Sequence, residues 1–161
     1  MTWRLFCRAV TVLIFTGSLA HAQPNIELRV VAQKEVKVNT DDGGWDFRLI
    51  PATGVFPGDE IIYTIFFTNV SDLPTTNIVI DDPIPAQMYL KEGTVLGAGT
   101  VISYSADGGK TFARPAELAV VDEQGVAREA RADEYTHIRW IFREHLAPGR
   151  EGFVGFRAIM R

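Results

Sequence analysis

Short runs of β-branched, aromatic and other apolar residues, some alternating imperfectly with polar ones, recur along this chain, and every ten residues or so glycine, proline, asparagine or aspartate interrupts them. Period two marks a strand with one buried face, because successive side chains on an extended backbone point to opposite sides. The clearest run follows the turn Pro57-Gly58. With Tyr63 pointing inward, Ile61, Ile65 and Phe67 share its face, and Ile62, Thr64, Phe66 and Thr68 take the other. A second turn, Leu146-Ala147-Pro148-Gly149, leads likewise into residues 152–160, where Phe153 falls opposite Val154 and Phe156.

Elsewhere the pattern is weaker but still extended. Residues 26–38 read as one long or broken strand with one face in water, 39–44 as a polar turn and 45–50 as a short strand. A loop at 71–76 precedes a strand at 77–80 that Asp81-Asp82-Pro83-Ile84-Pro85 should stop. Two prolines at that spacing exclude a central strand and imply an extended crossover between sheets. Short strands are expected at 88–90, 94–96 and 116–121. Residues 101–105 and 111–113 flank Asp107-Gly108-Gly109-Lys110, a hairpin signal. Runs at 136–142 and 153–160 close the domain. Residues 122–134 are charged and poorly patterned, and read either as a mobile loop or as a short helix through 126–132. No helical stripe with proper caps occurs. The expectation is an all-β fold, an immunoglobulin-like β-sandwich of two mainly antiparallel sheets.

The first 22 residues stand apart. Arg4 and Arg8 make a positive start, residues 9–20 are apolar, and Ala20-His21-Ala22 supplies a small-x-small cleavage site. The apolar run is shorter than the roughly 20 residues of a membrane span, so 1–22 reads as a cleaved signal peptide and 23–161 as a single domain with no membrane insertion. Cleavage leaves 139 of the 161 residues and removes Cys7, which precedes the apolar run and is not placed as a lipoprotein cysteine. The mature chain then has neither a disulfide nor a thiolate metal ligand. Removing Arg4 and Arg8 from the 16 basic residues leaves 14 against 20 acidic ones, a net charge of −6. An acidic chain without a basic stripe argues against nucleic acid as a partner. The location implied is periplasmic or extracellular.

Several motifs together resemble one family. They are Pro57-Gly58-Asp59, the central Tyr63, Asn69 between Thr68 and Val70, Asp82 followed by Pro85, Trp140, and Leu146-Ala147-Pro148-Gly149. In this order they resemble the bacterial repeat family catalogued as domain of unknown function number eleven, an immunoglobulin-like module of exported and surface proteins. The likeness spans about residues 55–159. It departs from the family where Ser71-Asp72 replaces the usual glycine after the Asn turn, and in having one copy rather than tandem repeats. The resemblance implies the fold and an envelope location, and carries over no catalytic residue.

Candidate chemistry is sparse. Residues 105–112 fit Ser-x-Asp-x-Gly-x-Thr-Phe, the hairpin of sialidase-like propellers, but a propeller needs about four or more four-stranded blades. The motif therefore reads as a structural hairpin first and a sugar contact second. Asp41, Asp42 and Asp46, and separately Asp81 and Asp82, are loop carboxylates whose spacing fits no calcium loop. His137 and His145 lack zinc-ligand spacing, and Ser71, Ser103 and Ser105 lie in no nucleophile elbow. Asn69-Val70-Ser71 is formally a glycosylation sequon and reads here as a turn. No metal, cofactor or catalytic residue is assigned. Ile62, Phe66 and Phe153 form the candidate contact surface, because outward apolar residues on strands mark an interface unless the 25–50 segment or the 122–134 stretch covers them. The function expected is a non-enzymatic structural or binding module of the bacterial envelope that recognises a protein partner through a sheet face or edge. The alternative is a carbohydrate-binding module drawing on Trp45, Tyr89, Tyr104 and Tyr135, and a hydrolase using loop carboxylates comes third.

Overall fold

A computed structural model describes residues 25–161; the signal peptide assigned to 1–22 lies outside the described residues. The fold is a β-sandwich. One sheet has five antiparallel strands in the order β2-β1-β3-β10-β5, formed by β1 (Ile26–Asn39), β2 (Trp45–Pro51), β3 (Glu60–Asn69), β5 (Met88–Leu90) and β10 (Glu151–Met160). The other has three, β4 (Ile78–Pro83), β9 (His137–Phe142) and β6 (Thr100–Ser105), in the order β4-β9-β6. A hairpin of β7 (Ala119–Val121) and β8 (Ala127–Glu129) completes the described strands.

The period-two reading of β3 decides the core. Ile61, Ile65 and Phe67 are buried, with Val154, Phe156 and Ala158 beside them on β10. Ile78, Ile80, Ile138 and Trp140 face them from the second sheet and are fully buried. Aromatic rings join the layers: Trp140 lies 6.3 Å from Phe156, and Phe67 lies 5.4 Å from Phe142. Tyr63 stacks on Phe156 at 4.9 Å, with its hydroxyl 3.2 Å from Met88 Sδ. Gly152 stands opposite Phe67, and a Cβ there would come within 2.3 Å of the ring, so the absence of a side chain makes room for Phe67.

Several segments differ from the sequence reading. β4 runs through Asp81 and Asp82 to Pro83, where an early stop was expected. It is an edge strand, so a residue without an N–H can end it without breaking a two-sided ladder. Of 94–96 only Leu96 pairs, with Gly155, because the Thr94 hydroxyl replaces a ladder partner: it accepts the Arg157 N–H at 3.1 Å and donates to the Lys91 carbonyl at 2.6 Å. Of 111–113 only Ala113 pairs, with Tyr104. A 3-10 turn (Pro115–Glu117) takes up the start of the strand expected at 116–121. The 122–134 stretch is neither helix nor irregular loop. It holds the return strand β8 and a 3-10 turn (Ala132–Glu134), with Asp122 Oδ1 accepting the N–H groups of Gln124 and Val126 and Gly125 at φ +81° closing the hairpin.

One buried amide ties two turns together. Asn69 is fully buried at the end of β3, and its Nδ2 donates to the carbonyls of Leu73 and Leu146, both at 2.8 Å. Its Oδ1 accepts the Ser71 N–H and hydroxyl. Its backbone completes the clamp, with the Gly149 N–H donating to Asn69 O at 2.8 Å. Since an aspartate could not donate to those carbonyls, Asn69→Asp should destabilise more than Asn69→Ala. We expect the Ala variant to lose about 2–3 kcal/mol in urea unfolding, the cost of stranding buried polar groups.

Candidate functional site

The ladder register defines the outward face of the five-stranded sheet. Odd-numbered residues of β1, β2 and β10 and even-numbered residues of β3 share it. At one end Phe66 is flanked by its cross-strand partners Arg29 and Phe153. The Arg29 guanidinium lies 4.0 Å from the Phe66 ring centroid and the two phenyl rings are 6.3 Å apart. Arg29 also reaches Glu151 at 3.6 Å. Phe66 is half-buried under these neighbours, whereas Phe153 remains 57% exposed.

Ile62 occupies a different setting. It lies between Gln33 and Arg157, in a depression of about 350 Å³ lined by Lys34, Glu35, Asp59, Glu60 and Lys91. Glu60 accepts hydrogen bonds from Lys91 Nζ at 2.6 Å and Arg157 Nη1 at 2.8 Å, and the two cations hold its carboxyl below the ordinary range. The structure thus brings Phe66 and Phe153 together and separates Ile62 from them by the row Val31, Thr64 and Gly155.

Sequence reasoning placed a strand at 45–50 but did not count its apolar row among the contact residues of this face. β1 pairs with β3 only as far as Gln33, then continues to Asn39 paired with β2 alone, so the β1–β2 ribbon extends beyond the rest of the sheet. Every residue of β2 is exposed. Trp45, Phe47 and Leu49 lie along the outward side at 61%, 62% and 50% exposure, and Lys37 Nζ sits 4.1 Å over the Trp45 ring. The available signal was the alternation of Trp45, Phe47 and Leu49 with Asp46 and Arg48, which reads as a strand with one apolar face. That this face has no cover depends on how far β1 outruns β3, a tertiary fact.

β2 is also an edge strand. The Ala52 N–H donates to Ala32 O on β1 at 3.0 Å, so the even-numbered main-chain groups of this segment face β1 and the odd-numbered ones face outward. Consistent with this, the Phe47 N–H donates to the carboxylate of its neighbour Asp46 at 2.8 Å.

The carboxylates proposed from sequence serve local structure. Asp42 accepts from the Thr40 hydroxyl and the Gly44 N–H in the β1–β2 turn. Asp107 accepts from the hydroxyls of Ser105 and Thr111 and from the amides of Lys110 and Thr111, which pull its carboxyl far below the ordinary range. Asp81 forms a two-point ion pair with Arg139 at 2.6 and 2.7 Å, and Arg139 lies over the Phe112 ring at 3.7 Å. Asp41 is exposed in the same turn as Asp42. His137 packs under Gly109, and His145 is exposed. Ser71 bonds to Asn69, and Ser103 lies on β6. Among the described residues no three His, Cys, Asp or Glu side chains group to hold a metal ion. The aromatics available for sugar stacking are dispersed: Tyr104 and Tyr135 pack on each other at 4.7 Å, while Trp45 and Tyr89 stand on opposite edge strands. No described helix is long and apolar enough to cross a membrane.

No family model, curated protein or solved structure matches this chain. The likeness drawn from sequence rests on its motif residues alone, and those occupy structural positions: Tyr63 and Trp140 between the sheets, Asn69 clamped to the Leu146 carbonyl, and Asp82 directed inward from β4.

Among the described residues, Asp82 is the one interior carboxyl whose pKa is raised. It is 6% exposed, and burial pushes its pKa from 3.8 up to about 7. A group whose pKa is raised on folding contributes stability below its unfolded value and loses it as pH rises through its folded value. The protein should therefore lose stability between about pH 4 and pH 7 on account of Asp82. Asp82→Asn should match wild type near pH 4 and exceed it at pH 8 by up to about 4 kcal/mol in urea unfolding.

Proposed function

We propose that the mature chain is an exported, non-enzymatic structural or binding module of the bacterial envelope. It recognises a protein partner through the outward face and free edge of its five-stranded sheet. The observation that carries this reading is β2, an edge strand whose Trp45, Phe47 and Leu49 stand in water on the same face as Phe66 and Phe153. Extended apolar surface of this kind marks contact sites on soluble proteins. An open edge adds main-chain donors and acceptors that a partner strand can satisfy with little side-chain signature. The export and envelope elements rest on the sequence of residues 1–22 and on the family resemblance.

Chemical crosslinking of the tagged, exported protein in its native envelope, followed by capture, tests the reading. We expect wild type to capture one protein partner, and Phe66→Glu, Phe153→Glu and Phe47→Glu each to reduce that capture at least tenfold while melting as wild type does. Retention on peptidoglycan or polysaccharide, unchanged by all three substitutions, would overturn it in favour of the glycan-binding alternative.

A further inference from the structure

The free edge carries a two-fold pattern. Its central residue is Phe47, whose main-chain groups point away from β1. Lay a second β2 antiparallel beside the first with Phe47 opposite Phe47. Trp45 then meets Leu49 of the second copy, and Asp46 meets Arg48 of the second copy, each pair occurring twice about the axis. Trp45, Phe47 and Leu49 of both copies gather on one face of the joined sheet, and the charged pairs fall on the other. Shifting the register so that Asp46 lies opposite itself sets like charges together, and centring on Arg48 does the same. Of these three registers, only the one centred on Phe47 sets opposite charges together.

We propose that this edge pairs with a second copy of the same chain, joining two five-stranded sheets through an antiparallel β2–β2 contact centred on Phe47. The contact is isologous, so it closes at two copies. The outward N–H and C=O of Trp45, Phe47 and Leu49 are spaced as a regular antiparallel ladder requires. Asp46 exchanges its bond to the Phe47 amide and its 3.8 Å contact with Arg48 of its own chain for an ion pair across the axis. Growth does not continue from the opposite edge. There β5 spans only Met88–Leu90, and Arg161 takes up its end, donating from Nε to the Met88 carbonyl at 3.3 Å and from its backbone N–H to Gln87 O at 2.8 Å. This inference deepens the protein-binding reading and rests on it for the use of the β2 edge.

Sedimentation of the purified, exported protein over roughly 1–200 µM, the range in which a small edge contact dissociates, tests the proposal with two charge variants. Wild type should double its mass across the series. Asp46→Arg sets two arginines against each other across the axis, and Arg48→Asp sets two aspartates there, so each variant alone should remain single copies. An equimolar mixture should recover the doubled mass, because both cross-axis pairs are then of opposite charge. Both positions are exposed, and unchanged melting of each variant separates lost pairing from lost folding. A wild type that stays a single copy throughout would overturn the proposal, as would variants that still pair or a mixture that does not recover. If wild type stays single while envelope capture still depends on Phe47, Phe66 and Phe153, self-pairing fails and the protein-partner reading stands. Pairing without any envelope capture removes the separate partner and leaves self-association.

Discussion

The unequal width of the two sheets governs the rest of this structure. Three strands cannot cover five, and the coverage falls on β3, β10 and β5, most of whose inward residues are buried. Towards β1 it thins: Val30, on the inward side opposite Ile65, is 45% exposed, and by β2 no residue is sheltered. A sheet buried on one face can leave its other face to water, but here one margin lacks cover on both sides. Apolar residues on that margin contribute nothing to the core. Their presence is the physical reason for assigning the β1–β2 ribbon a role in recognition.

The polar residues that look chemically capable are engaged in structural bonds, at strand ends for Asn69 and Asp107 and across the β4–β9 ladder for Asp81. Asn69 fixes where β3 stops by holding the turn before β10, Asp107 closes the turn after β6, and Asp81 pins Arg139 and, through it, Phe112 to the outside of the three-stranded sheet. A sandwich of short strands has many ends, and each leaves backbone groups that need partners. Side-chain oxygens and amides supply those partners. Asp42, Asp107 and Asp122 do this at three turns, and among the described residues no three His, Cys, Asp or Glu side chains group to hold a metal ion.

The strands whose side chains alternate under a complete cover were legible from sequence. β3, β9 and β10 follow Pro-Gly turns or carry a buried tryptophan, and with Tyr63 taken as pointing inward the facing of β3 follows residue by residue from parity. β8 was not legible. Its Ala127-Arg128-Glu129 has no apolar face, and its partner β7 is equally weak. The pair forms because Asp122 and Gly125 build the turn and Leu118 and Ala130 anchor the base, a local device without periodicity. The face that holds Phe66 and Phe153 was also readable, since it is the complement of the core set. The ribbon was not, because its exposure follows from where β1 leaves β3, and a strand's neighbours are not written in its own pattern.

An exposed edge of this length poses a hazard as well as an opportunity, and the residues along it address both. Natural sheets guard edges with charges, prolines and short strands. β2 carries Asp46, Arg48 and Pro51, and Asp46 already occupies the outward amide of Phe47. Were protection the whole purpose, Trp45, Phe47 and Leu49 would be poor choices beside those charges, because they raise the gain from any strand that docks. On the proposed reading, charge of both signs on one face and apolar surface on the other would instead make the edge selective. A strand bearing the opposite charges in the opposite order satisfies Asp46 and Arg48, whereas an arbitrary apolar strand must leave the Phe47 amide competing with its own carboxylate cap. Discrimination of this sort needs a repulsive element as much as an attractive one, and on β2 both lie within the seven residues of a single strand.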